Sequence, residues 1–164
     1  MNSLKKIKNK IIDNPLSLNK QLGIWSQKQK KIVFTNGCFD LLHRGHIEYL
    51  AKAADYGDIL VIGLNSDDSV SRLKGIHRPI QDEKSRAHIM AALEFVDLVV
   101  YFNEDTPYEL IKTVQPNVLV KGADYKAEDI IGYDIVTANG GRVETIEFLA
   151  GYSTSAIEEK IKQG

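Results

Sequence analysis

The chain has 164 residues, of which 43% are hydrophobic and 26% charged, and this composition is typical of one globular domain with a substantial core. Its formal net charge of −1 argues against a general nucleic-acid binder, because such proteins are normally basic. Its lone cysteine, Cys38, excludes an intrachain disulfide, and no secretory or membrane-spanning stretch is evident, so we expect a cytoplasmic protein without a membrane partner.

The first thirty residues form a basic amphipathic segment that ends or turns near Pro15. Apolar residues recur there at helical spacing: Leu4, Ile7, Ile11 and Ile12. Such a helix can lie on a membrane or bind a partner. We favour the simpler interpretation, in which the lysines face solvent and the apolar stripe docks on the core or on a second subunit. The pattern predicts an N-terminal helical extension over residues 1–30 and a main domain over residues 31–164.

The most informative pattern begins at the apolar run 32–34, which is followed by a glycine-containing turn and by two histidines, His43 and His46. Apolar residues after His46 recur at helical spacing, so we expect the second histidine to open a helix. Side chains at i and i+3 share a helix face, so both imidazoles can reach one ligand near the helix N-terminus, where an anion is favoured. Gly45 lets a phosphate approach the backbone. The pattern predicts a phosphate-binding turn.

Two other interpretations of the histidine pair stay open at this point. A histidine near a helix start is often a cap or a surface residue. Two histidines can also bind a metal, although the usual i, i+4 pair with a glutamate base is absent. The order of strand, glycine turn, histidine pair and amphipathic helix favours the phosphate interpretation, because doubly wound folds hold nucleotides at such a turn.

From residue 31 onward the pattern alternates between strand and helix. The predicted strands are 32–35, 59–64, 98–101, 118–121 and 143–148. The predicted helices are 45–55, 82–95, 107–113, 127–138 and 154–161. Continuously apolar strands and right-handed crossovers indicate a parallel sheet covered on both faces. We predict a single Rossmann-like, doubly wound α/β domain with a five-stranded sheet in the order 3-2-1-4-5, in which the histidine turn, Lys121 and the last helix converge.

The segment 35–46 resembles the T-x-G-x-F-D-x-x-H-x-G-H signature of the cytidylyltransferase-like nucleotidyltransferases. The likeness runs from about residue 31 to the end of the chain and is closest to the adenylyltransferase domain that makes ADP-heptose from heptose 1-phosphate. Further stretches support it: Asn65-Ser66-Asp67, Leu73-Lys74-Gly75, Arg78-Pro79, Glu104-Asp105-Thr106-Pro107, Val120-Lys121-Gly122-Ala123-Asp124-Tyr125, Ala138-Asn139-Gly140-Gly141 and Gly151-Tyr152-Ser153-Thr154-Ser155.

The resemblance implies transfer of AMP from ATP to heptose 1-phosphate with release of pyrophosphate, with Mg²⁺ on the triphosphate. It also implies a homodimer and a separate sugar kinase that supplies the substrate. A cytidylyltransferase acting on glycerol 3-phosphate or another phosphorylated acceptor is the alternative, and a catalytically silent nucleotide-sensing module is a third. Relatives that use CTP carry an arginine shortly before the last serine-threonine segment. This chain has 147–150 Glu-Phe-Leu-Ala there, which disfavours the cytidylyl alternative.

The resemblance also implies roles for individual residues. The implied catalytic residues are His43, His46 and Lys74. The implied nucleotide-binding residues are Gly37, Cys38, Phe39, His43, His46, Lys121, Gly122, Asp124, Ser153, Thr154 and Ser155. The implied ligands of the sugar phosphate or pyrophosphate are Lys74 and Arg86.

Each of these roles has a simpler competitor, and no metal ligand is assigned. Phe39 can belong to the core, and Lys74, Arg86 and Lys121 can be surface charges. The hydroxyls of the last segment can cap the final helix. Asp40 can orient the turn, cap the helix or contact a metal-bound water, and the sequence does not separate these roles.

Overall fold

The computed structural model describes residues 2–164, which form six strands and eight α-helices. The strands are β1 (Ile11–Ile12), β2 (Ile32–Gly37), β3 (Ile59–Asn65), β4 (Leu98–Phe102), β5 (Val118–Gly122) and β6 (Arg142–Ile146). The helices are α1 (Ser3–Asn9), α2 (Pro15–Gln27), α3 (Arg44–Ala54), α4 (Asp67–Lys74), α5 (Glu83–Ala92), α6 (Tyr108–Val114), α7 (Tyr133–Ala138) and α8 (Thr154–Gln163). A short 3₁₀ helix covers Ala127–Asp129. None of the described helices is long and apolar enough to cross a membrane.

The strands form one parallel sheet in the order β1-β4-β3-β2-β5-β6. The prediction of a parallel α/β sheet is confirmed, but the predicted five-stranded sheet of order 3-2-1-4-5 is corrected to six strands, because the N-terminal segment adds β1 beside β4. The strands after residue 30 lie in the order β4-β3-β2-β5-β6. The chain leaves β2 toward β3 on one side and reaches β5 only later on the other, so the carboxyl ends of β2 and β5 flank the switch point.

Helices cover both faces of the sheet because consecutive residues of its central strands point to opposite sides. Val33 belongs to a core cluster that includes Leu50 of α3 and Met90 of α5. Its neighbour Phe34 belongs to a second cluster, with Trp25 of α2 among its members. All seven residues of β3 are buried, which explains why residues 59–64 carry no polar side chain.

The N-terminal segment contains a strand that helical periodicity concealed. Helix α1 ends at Asn9, and Ile11 and Ile12 pair with Val99 and Val100 of β4. The continuous helical stripe predicted through Ile12 is therefore wrong. These two residues satisfy the edge of β4 with backbone hydrogen bonds, which a helix cannot do.

Two other elements differ from the predicted pattern. The predicted helix 127–138 is interrupted at Gly132, whose φ of +93° suits glycine and breaks the helical path. Helix α4 was not predicted because most of its residues are polar. Its start is capped by Ser66, whose hydroxyl accepts a hydrogen bond from the backbone N–H of Ser69 at 3.2 Å.

Candidate active site

A cavity of about 200 Å³ opens at the carboxyl ends of β2 and β5. Its walls come from the β2–α3 turn, the end of α4, the end of β5 and the start of α8. The predicted site residues that line it are Gly37, Cys38, Phe39, His46, Lys74, Lys121, Gly122 and Thr154. The structure therefore brings together residues that are more than one hundred positions apart in the chain.

A larger groove of about 580 Å³ lies between α2 and α6, beside the amino end of β2. Lys30 and Lys31 are among its lining residues, together with Gln115 and Asn117. In parallel α/β sheets ligands bind outside the carboxyl ends of the strands. We therefore place the candidate site in the smaller cavity, which contains the histidine turn.

The two histidine side chains lie together at the start of α3. Their rings are stacked with centroids 3.8 Å apart and planes at 23°. The helix begins at Arg44, however, so His43 is its N-cap residue and His46 lies in its first turn. The carbonyl of His43 accepts the backbone N–H of His46 at 3.0 Å, which holds the pair in register.

Burial keeps both imidazoles neutral near pH 7. Burial lowers the pKa of His46 to about 4, with further lowering from His43 and Lys74. Burial also lowers the pKa of His43. The Nδ1 atoms of both rings are buried without a hydrogen-bond partner. An interaction with the backbone of Leu41 acts to raise the pKa of His46 but does not outweigh these effects.

Gly45 is required by the histidine pair. A Cβ at this position would lie 3.0 Å from Nδ1 of His43 and 3.3 Å from Cβ of Tyr152. Real Cβ atoms rarely come that close to a neighbour, so a larger residue would displace the His43 ring or the chain before α8. The glycine thus lets the histidine turn and the segment before α8 pack together.

Phe39 and Asp40 shape the turn before α3. Phe39 has a φ of +45° and is 8% exposed, and its ring meets His46 edge-on with centroids 5.4 Å apart. A Cβ on Gly37 would lie 3.0 Å from the Phe39 ring. The core interpretation of Phe39 therefore holds, although the ring also lines the cavity.

The carboxylate of Asp40 is buried and holds the segment after α4. It accepts hydrogen bonds from the backbone N–H groups of Ile80 and Gln81 at 2.9 Å and from Nη1 of Arg78 at 2.6 Å. Burial acts to raise the pKa of Asp40, but the donors of Gln81, Ile80 and Arg78 outweigh it and hold the pKa below its usual value. Of the three roles that the sequence left open, this geometry supports the orientation of the turn.

Arg86 is placed away from the cavity, contrary to its predicted contact with substrate phosphate. Its side chain is 1% exposed, and four hydrogen bonds of its guanidinium end on protein groups. The acceptors are the carbonyls of Gln81, Cys38 and Asn65 and the carboxylate of Asp67. Arg86 thus ties the end of β3 and the start of α4 to the turn after β2, and this geometry supports a structural role.

Two lysines line the cavity in different environments. Lys121 is the next-to-last residue of β5, and burial lowers its pKa to about 8. Lys74 is exposed at the end of α4, just before Gly75. Between them Cys38 is partly buried, and burial raises the pKa of its thiol above the usual value. This thiol is therefore mainly protonated at neutral pH, which does not favour a nucleophilic role.

The three hydroxyl residues of the last serine-threonine segment lie in different environments. Ser153 caps α8, because its hydroxyl accepts the backbone N–H of Ala156 at 3.1 Å. Thr154 lines the cavity, whereas Ser155 is exposed and outside the cavity lining. Asp124 is also exposed and outside the lining. The capping interpretation thus holds for Ser153, and Thr154 is the residue of this segment that lies at the cavity.

Aromatic side chains that were not predicted complete the cavity: Tyr49, Tyr125 and Phe148. The Phe148 ring lies on Gly122, where a Cβ would collide with it, and stacks against Tyr49 with centroids 5.6 Å apart. The 147–150 segment, which lacks the arginine of the relatives that use CTP, was the sequence signal for Phe148. The position of Phe148 over β5 depends on how the chain turns after β6, which the sequence does not show.

The described residues contain no group of three or more histidine, cysteine, aspartate or glutamate side chains that could hold a metal ion. Both carboxylate oxygens of Asp40 are already engaged by protein donors. A metal that accompanies a nucleotide would therefore have to take its ligands mainly from phosphate oxygens and water.

The sequence profile of the family described as cytidylyltransferase-like matches residues 34–160 of the chain. The chain belongs to the cytidylyltransferase-like family. Within this family, the bifunctional protein HldE of Geobacter metallireducens is 62% identical over 132 residues, which are 80% of this chain and 27% of that protein. The protein of the same name from Nitrobacter hamburgensis is 53% identical over 151 residues, or 92% of this chain and 31% of its own length. The chain thus spans about three tenths of the length of these curated relatives.

Solved structures support the same fold for this cytidylyltransferase-like chain. The lipopolysaccharide core biosynthesis protein from Thermoplasma volcanium has a TM-score of 0.60 and 28% identity, and the match covers 73% of this chain and 97% of that one. The pantoate-beta-alanine ligase from Francisella tularensis has a TM-score of 0.61 at 17% identity, covering 93% of this chain and 76% of that one. The second likeness shows the fold alone.

Proposed function

We propose that the chain transfers AMP from ATP to heptose 1-phosphate and releases pyrophosphate. The observation that carries this proposal is the stacked histidine pair at the start of α3. His46 lines one cavity with Lys74, Lys121 and Thr154, and His43 stacks on His46 outside that lining. Neutral imidazoles, two ammonium groups and a helix N-terminus form a set of donors suited to a triphosphate. The choice of heptose 1-phosphate rests on the resemblance to the ADP-heptose branch of the family, and the similarity to the HldE proteins supports it.

In the proposed reaction, a phosphate oxygen of the sugar phosphate attacks the α-phosphorus of ATP. The bond from that phosphorus to the β-phosphate oxygen breaks, and both electrons leave with pyrophosphate. The attacking group is already an anion, so the protein needs no general base. Because this chemistry depends on positioning and charge stabilisation, the protein's contribution is electrostatic.

The residues at and beside the cavity stabilise this charge in different ways. His43 and His46, neutral at pH 7, each have one N–H to donate to the triphosphate as negative charge grows on it. Lys121 and Lys74 both line the cavity and supply positive charge, and the free N–H groups at the start of α8 add donors beside Thr154. Mg²⁺ would neutralise triphosphate charge, and we assign it no protein ligand.

We further propose that the protein acts in the cytoplasm as a homodimer and that a sugar kinase activity supplies the phosphorylated sugar. The expectation that it binds neither nucleic acid nor membrane belongs to the same proposal. A cytidylyltransferase remains the alternative function. The 147–150 segment disfavours it, because Phe148 rather than an arginine lies over Gly122 at the edge of the cavity.

Pyrophosphate release in the presence of Mg²⁺ tests the proposal. ATP and CTP are each offered with heptose 1-phosphate and with glycerol 3-phosphate. We expect release with ATP and heptose 1-phosphate only. Release with CTP would move the chain to the cytidylyl branch, and no release with any pair would contradict the proposed function.

The histidine roles have a separate test. His43→Ala and His46→Ala should each lower turnover by about a hundredfold or more, as for the loss of one preorganised donor, while the dissociation constant for ATP changes much less. Ser155→Thr is the matched control, since Ser155 is exposed and outside the cavity lining, and it should be nearly silent. Near-normal turnover in both histidine variants would remove their catalytic role.

A further inference from the structure

Arg78 joins the histidine turn to helix α8 through one guanidinium group. Its Nη1 donates to Oδ2 of Asp40 at 2.6 Å, and its Nη2 lies 2.5 Å from Oε1 of Glu158. The side chain is only 17% exposed, and that of Asp40 is 1% exposed. Because the guanidinium is planar and presents its donors in a fixed fork, it sets the distance between the two carboxylates.

The backbone of Arg78 is tied to the end of α4 in addition. Its N–H donates to the carbonyl of Gly75 at 3.0 Å, and its carbonyl accepts the hydroxyl of Ser71 at 2.5 Å. Lys74, the last residue of α4, directly precedes Gly75. Arg78 is therefore linked to the segment that presents Lys74 to the cavity.

Helix α8 depends on few contacts for its position. None of its residues is fully buried. Glu158 follows Thr154 by one helical turn, so both side chains lie on one face, and Thr154 lines the cavity. The ion pair between Arg78 and Glu158 therefore holds α8 one helical turn after Thr154, the residue that lines the cavity.

We propose that Arg78 is a positioning residue that sets the separation between the histidine turn, Lys74 and the N-terminus of α8. The assignment of ATP as the ligand held between them rests on the proposed function. Arg78 does not line the cavity and acts through Asp40 and Glu158. Loss of the ion pair between Arg78 and Glu158 should leave the histidine turn intact and let α8 move away from the nucleotide.

Glu158→Gln tests the ion pair between Arg78 and Glu158, and Glu159→Gln is the matched control. Glu159 is the exposed next residue of the same helix and makes no described side-chain contact. The readouts are the dissociation constant of a non-hydrolysable ATP analogue with Mg²⁺ and the midpoint of thermal unfolding. We expect Glu158→Gln to weaken binding about fivefold relative to Glu159→Gln, as for loss of one partly exposed ion pair. The two midpoints should agree, since α8 is only partly buried.

Arg78→Lys provides the second variant. A lysine keeps the charge but cannot bridge two carboxylates in a fixed fork, so binding should weaken more than in Glu158→Gln. Equal affinity in Glu158→Gln and Glu159→Gln would overturn the proposal, as would wild-type affinity in a folded Arg78→Lys variant. If the wild type binds the analogue but releases no pyrophosphate with any acceptor, the proposed function fails, and the affinities of these variants still decide the role of Arg78.

Discussion

At the scale of single residues, Lys121 connects burial with the pH dependence of nucleotide binding. Burial beside the cavity lowers its pKa to about 8. A bound triphosphate would favour the ammonium form, so binding and protonation should support each other. ATP affinity should then be highest where Lys121 is protonated and should fall as pH rises through 8, by about tenfold between pH 7 and pH 9.

Binding titrations at these two pH values check this prediction. Lys121→Met should bind more weakly at pH 7 and should lose this part of the pH dependence. Lys126→Met removes an exposed lysine outside the cavity lining and serves as the control. If Lys121→Met keeps the slope of the wild type, the lysine does not contact the nucleotide phosphates.

The residue scale is also where sequence reasoning was least able to separate alternatives. Arg78 and Arg86 lie eight positions apart, and both are arginines near the same motif. Arg86 was predicted, with Lys74, to contact substrate phosphate, but it is buried among carbonyls, whereas Arg78 pairs with both Asp40 and Glu158. The deciding partners, Cys38, Asn65 and Glu158, are distant in sequence, so no local pattern identifies them.

At the scale of elements, side chains at the amino ends of strands extend the hydrogen bonding of the sheet. Oδ2 of Asp97, just before β4, accepts the backbone N–H of Leu60 in β3 at 2.8 Å. Oδ1 of Asn117, just before β5, accepts the N–H of Ile32 in β2 at 2.7 Å. Parallel strands are staggered at their ends, and these side chains satisfy N–H groups that would otherwise be unpaired next to the core.

Asp97→Ala should therefore cost about 1–3 kcal/mol of the free energy of unfolding, because the N–H of Leu60, a residue only 1% exposed, loses its acceptor. Urea unfolding measures this loss. Asp97→Asn keeps a carbonyl oxygen in the same place and should remain close to the wild type. An equal loss in both variants would show that charge rather than the hydrogen bond matters at this position.

At the level of the whole molecule, the N-terminal segment pairs with one edge of the sheet and packs on one of its faces. β1 pairs with β4, and α2 buries Leu18 and Trp25 in the second core cluster. Full burial of such side chains contributes roughly 1.5–3 kcal/mol each, a large part of the 5–15 kcal/mol that holds a typical domain together. The proposed boundary at residue 30 therefore marks a change in the sequence pattern, and residues 1–30 and 31–164 share a hydrophobic core.

Removal of residues 1–30 should lower the free energy of unfolding by at least about 3 kcal/mol and expose β4 as an unprotected edge. Denaturant unfolding and light scattering of the shortened chain measure both effects. Leu16→Ala in the full chain is the control for an exposed apolar residue of α2, since Leu16 is 82% exposed, and it should have little effect. A shortened chain as stable and as monodisperse as the full one would show that residues 31–164 fold independently.

Features that depend only on contiguous residues could be predicted from the sequence. Alternating strand and helix patterns predicted the parallel α/β sheet, and the twelve-residue segment 35–46 indicated the family and predicted that two imidazoles lie close together. These features follow from backbone periodicity and from spacing within a few turns, so they need no long-range contact. Only the folded structure shows that Ile11 and Ile12 form an edge strand, that Thr154 rather than Ser155 reaches the cavity, and that Arg86 donates to backbone carbonyls inside the protein. Each of these depends on partners far away in the chain, because a free sheet edge, a cavity wall or a buried carboxylate exists only once the chain has folded.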